Sequence, residues 1–96
     1  MNLHHLKVFF AVAQAGSVSR GAETLHISQP AVTREIRDLE ASLGLALFDR
    51  HPRGVTPTEG GQRLLQFAER IFALEQAAER DLRDLAGLGH GELILG

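Results

Sequence analysis

The 96-residue chain contains no cysteine, which excludes a disulfide scaffold, a thiolate metal site and a cysteine nucleophile. It has no apolar run near the roughly 20 residues that a membrane span requires. The amino terminus, MNLHHLKVFF, lacks the leader and cleavage pattern of a secretory signal. A cytoplasmic location is therefore expected. A large charge of one sign is missing too, since ten Lys and Arg against twelve Asp and Glu leave a net charge of −2. That total hides a mild division: residues 1–57 carry six basic and five acidic side chains, residues 58–96 four and seven.

What is present is 44% hydrophobic and 23% charged, the balance of a soluble globular chain rather than a disordered one. The length suits one small domain with a modest core. The five histidines, His4, His5, His26, His51 and His90, invite a metal reading. No two of them are spaced four apart on a helix, and no carboxylate joins them in a ligand pattern, so scattered surface histidines are the simpler account. Ser17, Ser19 and Ser28 fit helix caps and turns; nothing supplies a base or an oxyanion site for a serine nucleophile. No catalytic residue, metal or cofactor is expected within these residues.

Leu3, Leu6, Phe9, Phe10 and Ala13 recur at helical spacing, and Gly16 is a natural stop. Ser17 caps a short second helix through Leu25, with Val18, Ala22 and Leu25 inward and Gly21 weakening it. Ser28 caps a third helix with Pro30 in its first turn, where the missing N–H is harmless, and Gly44 ends it. Phe48 and Val55 flank HPRG, a tight turn between two short arms, which predicts a β-hairpin.

Thr56, Pro57 and Glu59 match a capping box with proline in the first turn, the start of a fourth helix. No breaker interrupts it between Gln62 and Ala86, and Gly87 is its expected stop. From Pro57 to Ala86 such a helix is roughly 45 Å long, more than so small a body covers. Its apolar stripe runs through Phe67, Ile71, Leu74, Ala78, Leu82 and Leu85 and slowly drifts around the axis. A partner is needed for the uncovered part, most simply a second copy. GLGHGELILG then resembles a glycine-rich linker entering a strand that has nothing here to pair with. The expected organisation is residues 1–57, three helices with a small hairpin; 58–86, a long helix that pairs with a second copy; and 87–96, the start of a hinge.

The third helix sorts its polar residues unusually. Val32, Ile36, Leu39 and Leu43 fall within an arc of about 60° and form its core stripe. Gln29, Pro30, Thr33, Arg34 and Arg37 fill a neighbouring arc of about 140°, with Glu35 and Asp38 turned off it. Glu40 shares that face but lies about 16 Å along the axis from Gln29. Gln pairs with adenine, Arg forks onto guanine, and Thr bonds a base or touches a thymine methyl. This suits a helix laid end-on in the major groove, preceded by a helix and a short turn. Arg50 and Arg53 flank the hairpin turn, within reach of phosphate or a narrow minor groove. A polar helix face is as often merely solvated, and Arg50 and Arg53 have Asp49 as an alternative ion-pair partner, so wheel angles alone leave both readings open.

The stretch Leu6 to Arg50, and above all SQPAVTREIRDLEASLG followed by LFDR, resembles the amino-terminal winged helix-turn-helix of LysR-type transcriptional regulators. The resemblance implies a mainly α fold, a three-helix core with a small β-hairpin wing and a long linker helix paired antiparallel with that of a second subunit. It implies a bacterial regulator, not an enzyme, that binds double-stranded operator DNA as a homodimer. A small-molecule effector is then expected for a further domain beginning near GELILG. By position, Gln29, Pro30, Thr33 and Arg34 match the family's base-contacting residues, Arg53 matches the wing, and Ser28, Arg37 and Arg50 match phosphate contacts. Gly21, Val18 and TPTEGG depart from the family's commoner residues. The Gly60-Gly61 pair costs roughly 1 kcal/mol per glycine in a helix, so a flexing joint is expected between wing and linker. The rival reading is a protein-interaction module whose arginine face is incidental.

Overall fold

The computed structural model describes residues 1–88. The element order is α1 (Leu3–Ala15), α2 (Val18–Leu25), α3 (Gln29–Leu43), β1 (Phe48–His51), β2 (Gly54–Pro57) and α4 (Glu59–Leu88). The hinge expected over 87–96 falls, beyond Leu88, outside the described residues.

Local chemistry sets the ends of the first three helices. The Asn2 side chain accepts from His5 N, that of Ser17 from Arg20 N and that of Ser28 from Ala31 N, each satisfying an otherwise orphaned N–H of the first turn. Gly16 and Gly44 close α1 and α3 in the left-handed region, with φ of 74° and 75°. The helix-turn-helix turn is tighter. His26 takes φ 58° and Ile27 N donates to Ala22 O, so the chain reverses at once and carries Ile27 back against the core.

α1 packs against both α2 and α3, and Leu6, Val8, Phe9, Val12, Ala22, Val32, Ile36 and Leu39 fill the space between them. Full burial of each Leu, Ile, Val or Phe removes apolar surface worth about 1.5–3 kcal/mol. Leu43, expected in the core stripe, is 38% exposed, so the stripe ends at Leu39. Gly21, expected to weaken α2, is buried where the helices cross. A Cβ there would lie 2.8 Å from Val12 Cγ2 and 3.0 Å from Val12 Cα, so the missing side chain is what lets α2 approach.

The hairpin pairs Phe48 with Pro57, Asp49 with Thr56, Arg50 with Val55 and His51 with Gly54, antiparallel. Phe48 stacks at 5.1 Å on Phe9, and Val55 N donates to Gly16 O. The wing is thus fastened to α1 at two points. Gly54, at φ 138°, approaches Gly16 so closely that a Cβ would overlap the carbonyl oxygen.

α4 starts two residues later than the Thr56 capping box suggests. Thr56 and Pro57 belong to β2; the cap is Thr58, whose Oγ1 accepts from Gly61 N while donating to Ala46 O. The Gly60-Gly61 pair sits at the closest approach of α4 to the segment before the wing, with an added Cβ 2.5 Å from Leu45 Cδ1 at Gly60 and 2.1 Å from Leu47 O at Gly61. Close packing, rather than softness alone, accounts for the pair. Leu64 and Ala68 complete the core, and Phe72 meets Phe10 edge-on at 5.4 Å. Glu75, Gln76 and Glu79 still border a depression shared with α1, and Gly87 lies inside the helix instead of stopping it.

Candidate nucleic-acid interface

α3 presents its core stripe to α1 and α2, which leaves the opposite side at its amino-terminal end open. Gln29, Pro30, Thr33, Arg34 and Arg37 line one shallow depression there, as the helical wheel requires. Gln29, Pro30, Arg34 and Arg37 are exposed and Thr33 is half-buried. Asp38, placed off this face by the wheel, borders the depression as well. Ser28 stands at the same end, its hydroxyl engaged in the cap.

The cations of this surface are free. Among the described residues the ion pairs are His4–Glu35, Glu59–Arg63 and Glu79–Arg83, so Arg34, Arg37, Arg50 and Arg53 have no carboxylate within pairing distance. The Asp49 partner considered for Arg50 and Arg53 is not engaged. Glu35 is drawn away from the recognition face by His4 of α1. Glu40, counted on that face from the wheel, turns its carboxylate to the backbone N–H groups of Leu47 and Phe48.

Arg50 is exposed on β1 and Arg53 on the turn beyond it. Arg53 borders a second, smaller depression together with Ser17, Ser19 and Arg20 from the start of α2. Arg20 is a cation that helical periodicity did not single out; its place beside the wing depends on the Gly16–Gly54 contact, which no local pattern announces. One depression thus lies on α3 with Arg34 and Arg37, and the other joins the start of α2 to the wing with Arg20 and Arg53.

The six stripe residues of α4 divide. Phe67, Leu74, Leu82 and Leu85 are 57%, 72%, 61% and 62% exposed, and Ala78 is exposed too. Ile71 is half-buried against the protein's own core. Among the described residues no helix is long and apolar enough to cross a membrane, and no group of three or more His, Asp or Glu is placed to hold a metal ion.

A three-helix core whose third helix offers an open polar face, with a two-stranded hairpin beside it, defines a winged helix-turn-helix. Residues 3–62 match the family described as bacterial regulatory helix-turn-helix protein, lysR family, and the chain belongs to that family. Among curated proteins it is 43% identical over 94 residues to a probable RuBisCO transcriptional regulator of Synechocystis sp., a match covering 98% of this chain and 27% of that protein. The crystal structure of the CbnR DBD–DNA complex superposes with a TM-score of 0.83 at 41% identity, covering 90% of this chain and 99% of that one. Full-length LysG from Corynebacterium glutamicum, with bound effector Arg, superposes with a TM-score of 0.82 at 27% identity over 88% of this chain and 29% of that one. The chain therefore spans under a third of the length of the curated relatives it matches.

Proposed function

We propose that this chain is the sequence-specific, double-stranded DNA-binding part of a LysR-type transcriptional regulator, acting in the cytoplasm as a homodimer on a pseudo-palindromic operator. The observation that carries the reading is the single open face of α3, where Gln29, Thr33, Arg34 and Arg37 converge with both guanidinium groups unpaired.

In this reading the amino-terminal turns of α3 enter a major groove. Gln29 and Arg34 read base edges by paired hydrogen bonds, while Pro30 and Thr33 supply apolar contact and a hydroxyl. Arg53 reaches the flanking minor groove from the wing, where a narrow groove concentrates negative potential. Ser28, Arg37 and Arg50 hold phosphate, and Arg20, beside Arg53, joins them. These contacts fix register and make the affinity fall with salt despite the net negative total. The exposed stripe of Phe67, Leu74, Ala78, Leu82 and Leu85 pairs with its copy, and the two-fold axis so created sets the symmetry of the operator. The regulator as a whole takes a small-molecule effector in a further domain, a reading supported by the greater length of its relatives and by the effector on LysG. The role of this chain is binding, not catalysis.

Selection from randomised duplexes with the 96-residue chain tests the proposal, because it reports specificity, symmetry and half-site spacing together. An enriched inverted repeat is expected. On that duplex Arg34→Ala costs roughly 1–3 kcal/mol and relaxes preference at one base position. Equally weak binding to every sequence, with no salt slope, would favour a protein-interaction module instead.

A further inference from the structure

We infer that Glu40 is a positioning residue for DNA reading, a tether that fastens the leading edge of the wing to the recognition helix so that the two meet DNA as one unit. The inference rests on the DNA-binding reading above. Its geometric half stands on the hydrogen bonds alone.

Glu40 opens the last turn of α3, and its half-buried carboxylate Oε2 accepts from Leu47 N at 2.7 Å and Phe48 N at 3.4 Å. Its own carbonyl accepts from Gly44 N at 2.8 Å and Leu45 N at 3.3 Å. One residue therefore grips four of the five residues from Gly44 to Phe48. Leu47 is fully buried, and a buried backbone N–H left without an acceptor is strongly unfavourable. The other side of the same segment is held by α4, because Thr58 N donates to Leu47 O at 3.0 Å and Thr58 Oγ1 to Ala46 O at 2.6 Å.

The wing thus has two separate roots. Phe48 and Val55 seat the hairpin on α1, through the Phe9 ring and Gly16 O, whereas Glu40 hangs the leading edge of β1 on α3. Only the second joins the hairpin carrying Arg50 and Arg53 directly to the helix carrying Gln29 and Arg34. Without it the wing keeps its fold and its hold on α1 but loses its fixed register against α3. Arg53 would then pay an ordering entropy on each encounter with DNA.

Two conservative variants separate reach from charge. Glu40→Gln keeps an acceptor oxygen at the same distance and removes the charge; Glu40→Asp keeps the charge and falls one methylene short. The probe is the duplex enriched by the parent chain from a randomised pool. Glu40→Gln should bind it within about twofold of the parent, whereas Glu40→Asp and Glu40→Ala should weaken binding about fivefold or more. Adding Arg53→Ala should lower affinity about tenfold in the parent but less than about twofold in Glu40→Asp, while Arg34→Ala should cost the same factor in both.

Several outcomes overturn the inference: an Arg53→Ala effect equal in the two backgrounds, a Glu40→Gln variant as weak as Glu40→Asp, or one tighter than the parent. The last would make Glu40 simply a charge that repels phosphate. If the parent enriches no duplex, the DNA reading itself fails. Amide exchange still decides the tether, with Leu47 and Phe48 expected to be protected in the parent and in Glu40→Gln and fast in Glu40→Asp; equal protection in all of them refutes it.

Discussion

α4 belongs to two different environments along one uninterrupted helix. Up to Ala68 its inward residues are part of a core: Leu64 and Ala68 are buried, and Gly61 is pressed against the carbonyl of Leu47. Past Phe72 the same helix carries Leu74, Leu82 and Leu85 on its surface with most of each side chain in water. A run of some 30 residues is far longer than the average globular helix, and an amphipathic helix gains its stability mainly from packing its apolar stripe. The first region is therefore complete in a single chain and the second is not. The same residue types should respond to substitution differently on the two sides of that boundary.

The largest difference is expected between Phe9→Ala and Leu74→Ala. Phe9 is fully buried and stacked on Phe48, so its truncation removes core and wing contacts together and should cost about 3–5 kcal/mol in denaturant unfolding. That is a large share of the roughly 5–15 kcal/mol that holds a typical domain together. Leu74→Ala, measured at protein concentrations low enough to keep the chain monomeric, should change unfolding by no more than about 0.5 kcal/mol. A comparable loss at both positions would mean that the distal helix is covered by its own chain in solution.

Gly61→Ala should come next, and its sign is informative. Alanine in a helix interior normally gains about 0.5–1 kcal/mol over glycine. At Gly61 the new Cβ would meet the Leu47 carbonyl oxygen at 2.1 Å, a backbone atom that cannot swing aside. Overpacking of this kind costs about 1–3 kcal/mol, enough to outweigh the propensity gain. A melting curve that rises on Gly61→Ala would restore the view of the glycine pair as a flexible joint. Amide exchange at Gly61, whose N–H is bonded to Thr58 Oγ1, offers a second check and should be slow.

These positions also mark where the fold was legible in the sequence. Helices α1 to α3 were readable because their ends are written in single residues: Ser17 and Ser28 accept from the N–H groups they precede, and Gly16 and Gly44 supply the left-handed turns. The polar face of α3 was readable because helical periodicity alone brings Gln29, Thr33, Arg34 and Arg37 to one side. What escaped were contacts between segments distant in sequence. Gly21, Gly60 and Gly61 looked like weak points because propensity is local, while the atoms that require them, on Val12, Leu45 and Leu47, belong to other elements. Thr56 matched a capping pattern more fully than Thr58 does, but the Ala46 carbonyl that fixes Thr58 was invisible to it. Glu40 fell on the polar side of α3, well along the axis from Gln29, and its real partners stayed hidden because the wheel cannot show the path the chain takes after Gly44.

The boundary can be sharpened through association as well as stability. Leu74→Glu and Leu82→Glu together put two like charges on the exposed stripe, where in the proposed homodimer each would meet the stripe of the second copy. Sedimentation should show the monomer–dimer equilibrium shifted toward monomer by at least about tenfold, since burying unpaired carboxylates at a packed seam is strongly unfavourable. Monomer unfolding should stay within about 0.5 kcal/mol of the parent. Ile71→Glu gives the contrast: its side chain packs on the core of its own chain, so both stability and association should fall.

The smallest effect is expected at Gly87, the distal counterpart of Gly61. Both are helical glycines in α4, yet nothing lies within 4 Å of a Cβ placed at Gly87. Only propensity acts there, and it acts through the unfolded chain as much as the folded one. Gly87→Ala should therefore extend helical order at the distal end of α4 and stabilise it by about 0.5 kcal/mol, visible as slower amide exchange over the last turns rather than as a shift of the main transition. DNA affinity should not change, because a Cβ at Gly87 meets nothing within 4 Å and Gly87 lies at the far end of α4 from its contacts beside the wing. Destabilisation by Gly87→Ala would instead reveal a close neighbour at that position in the assembled protein, and would move the boundary between the finished and unfinished parts of α4.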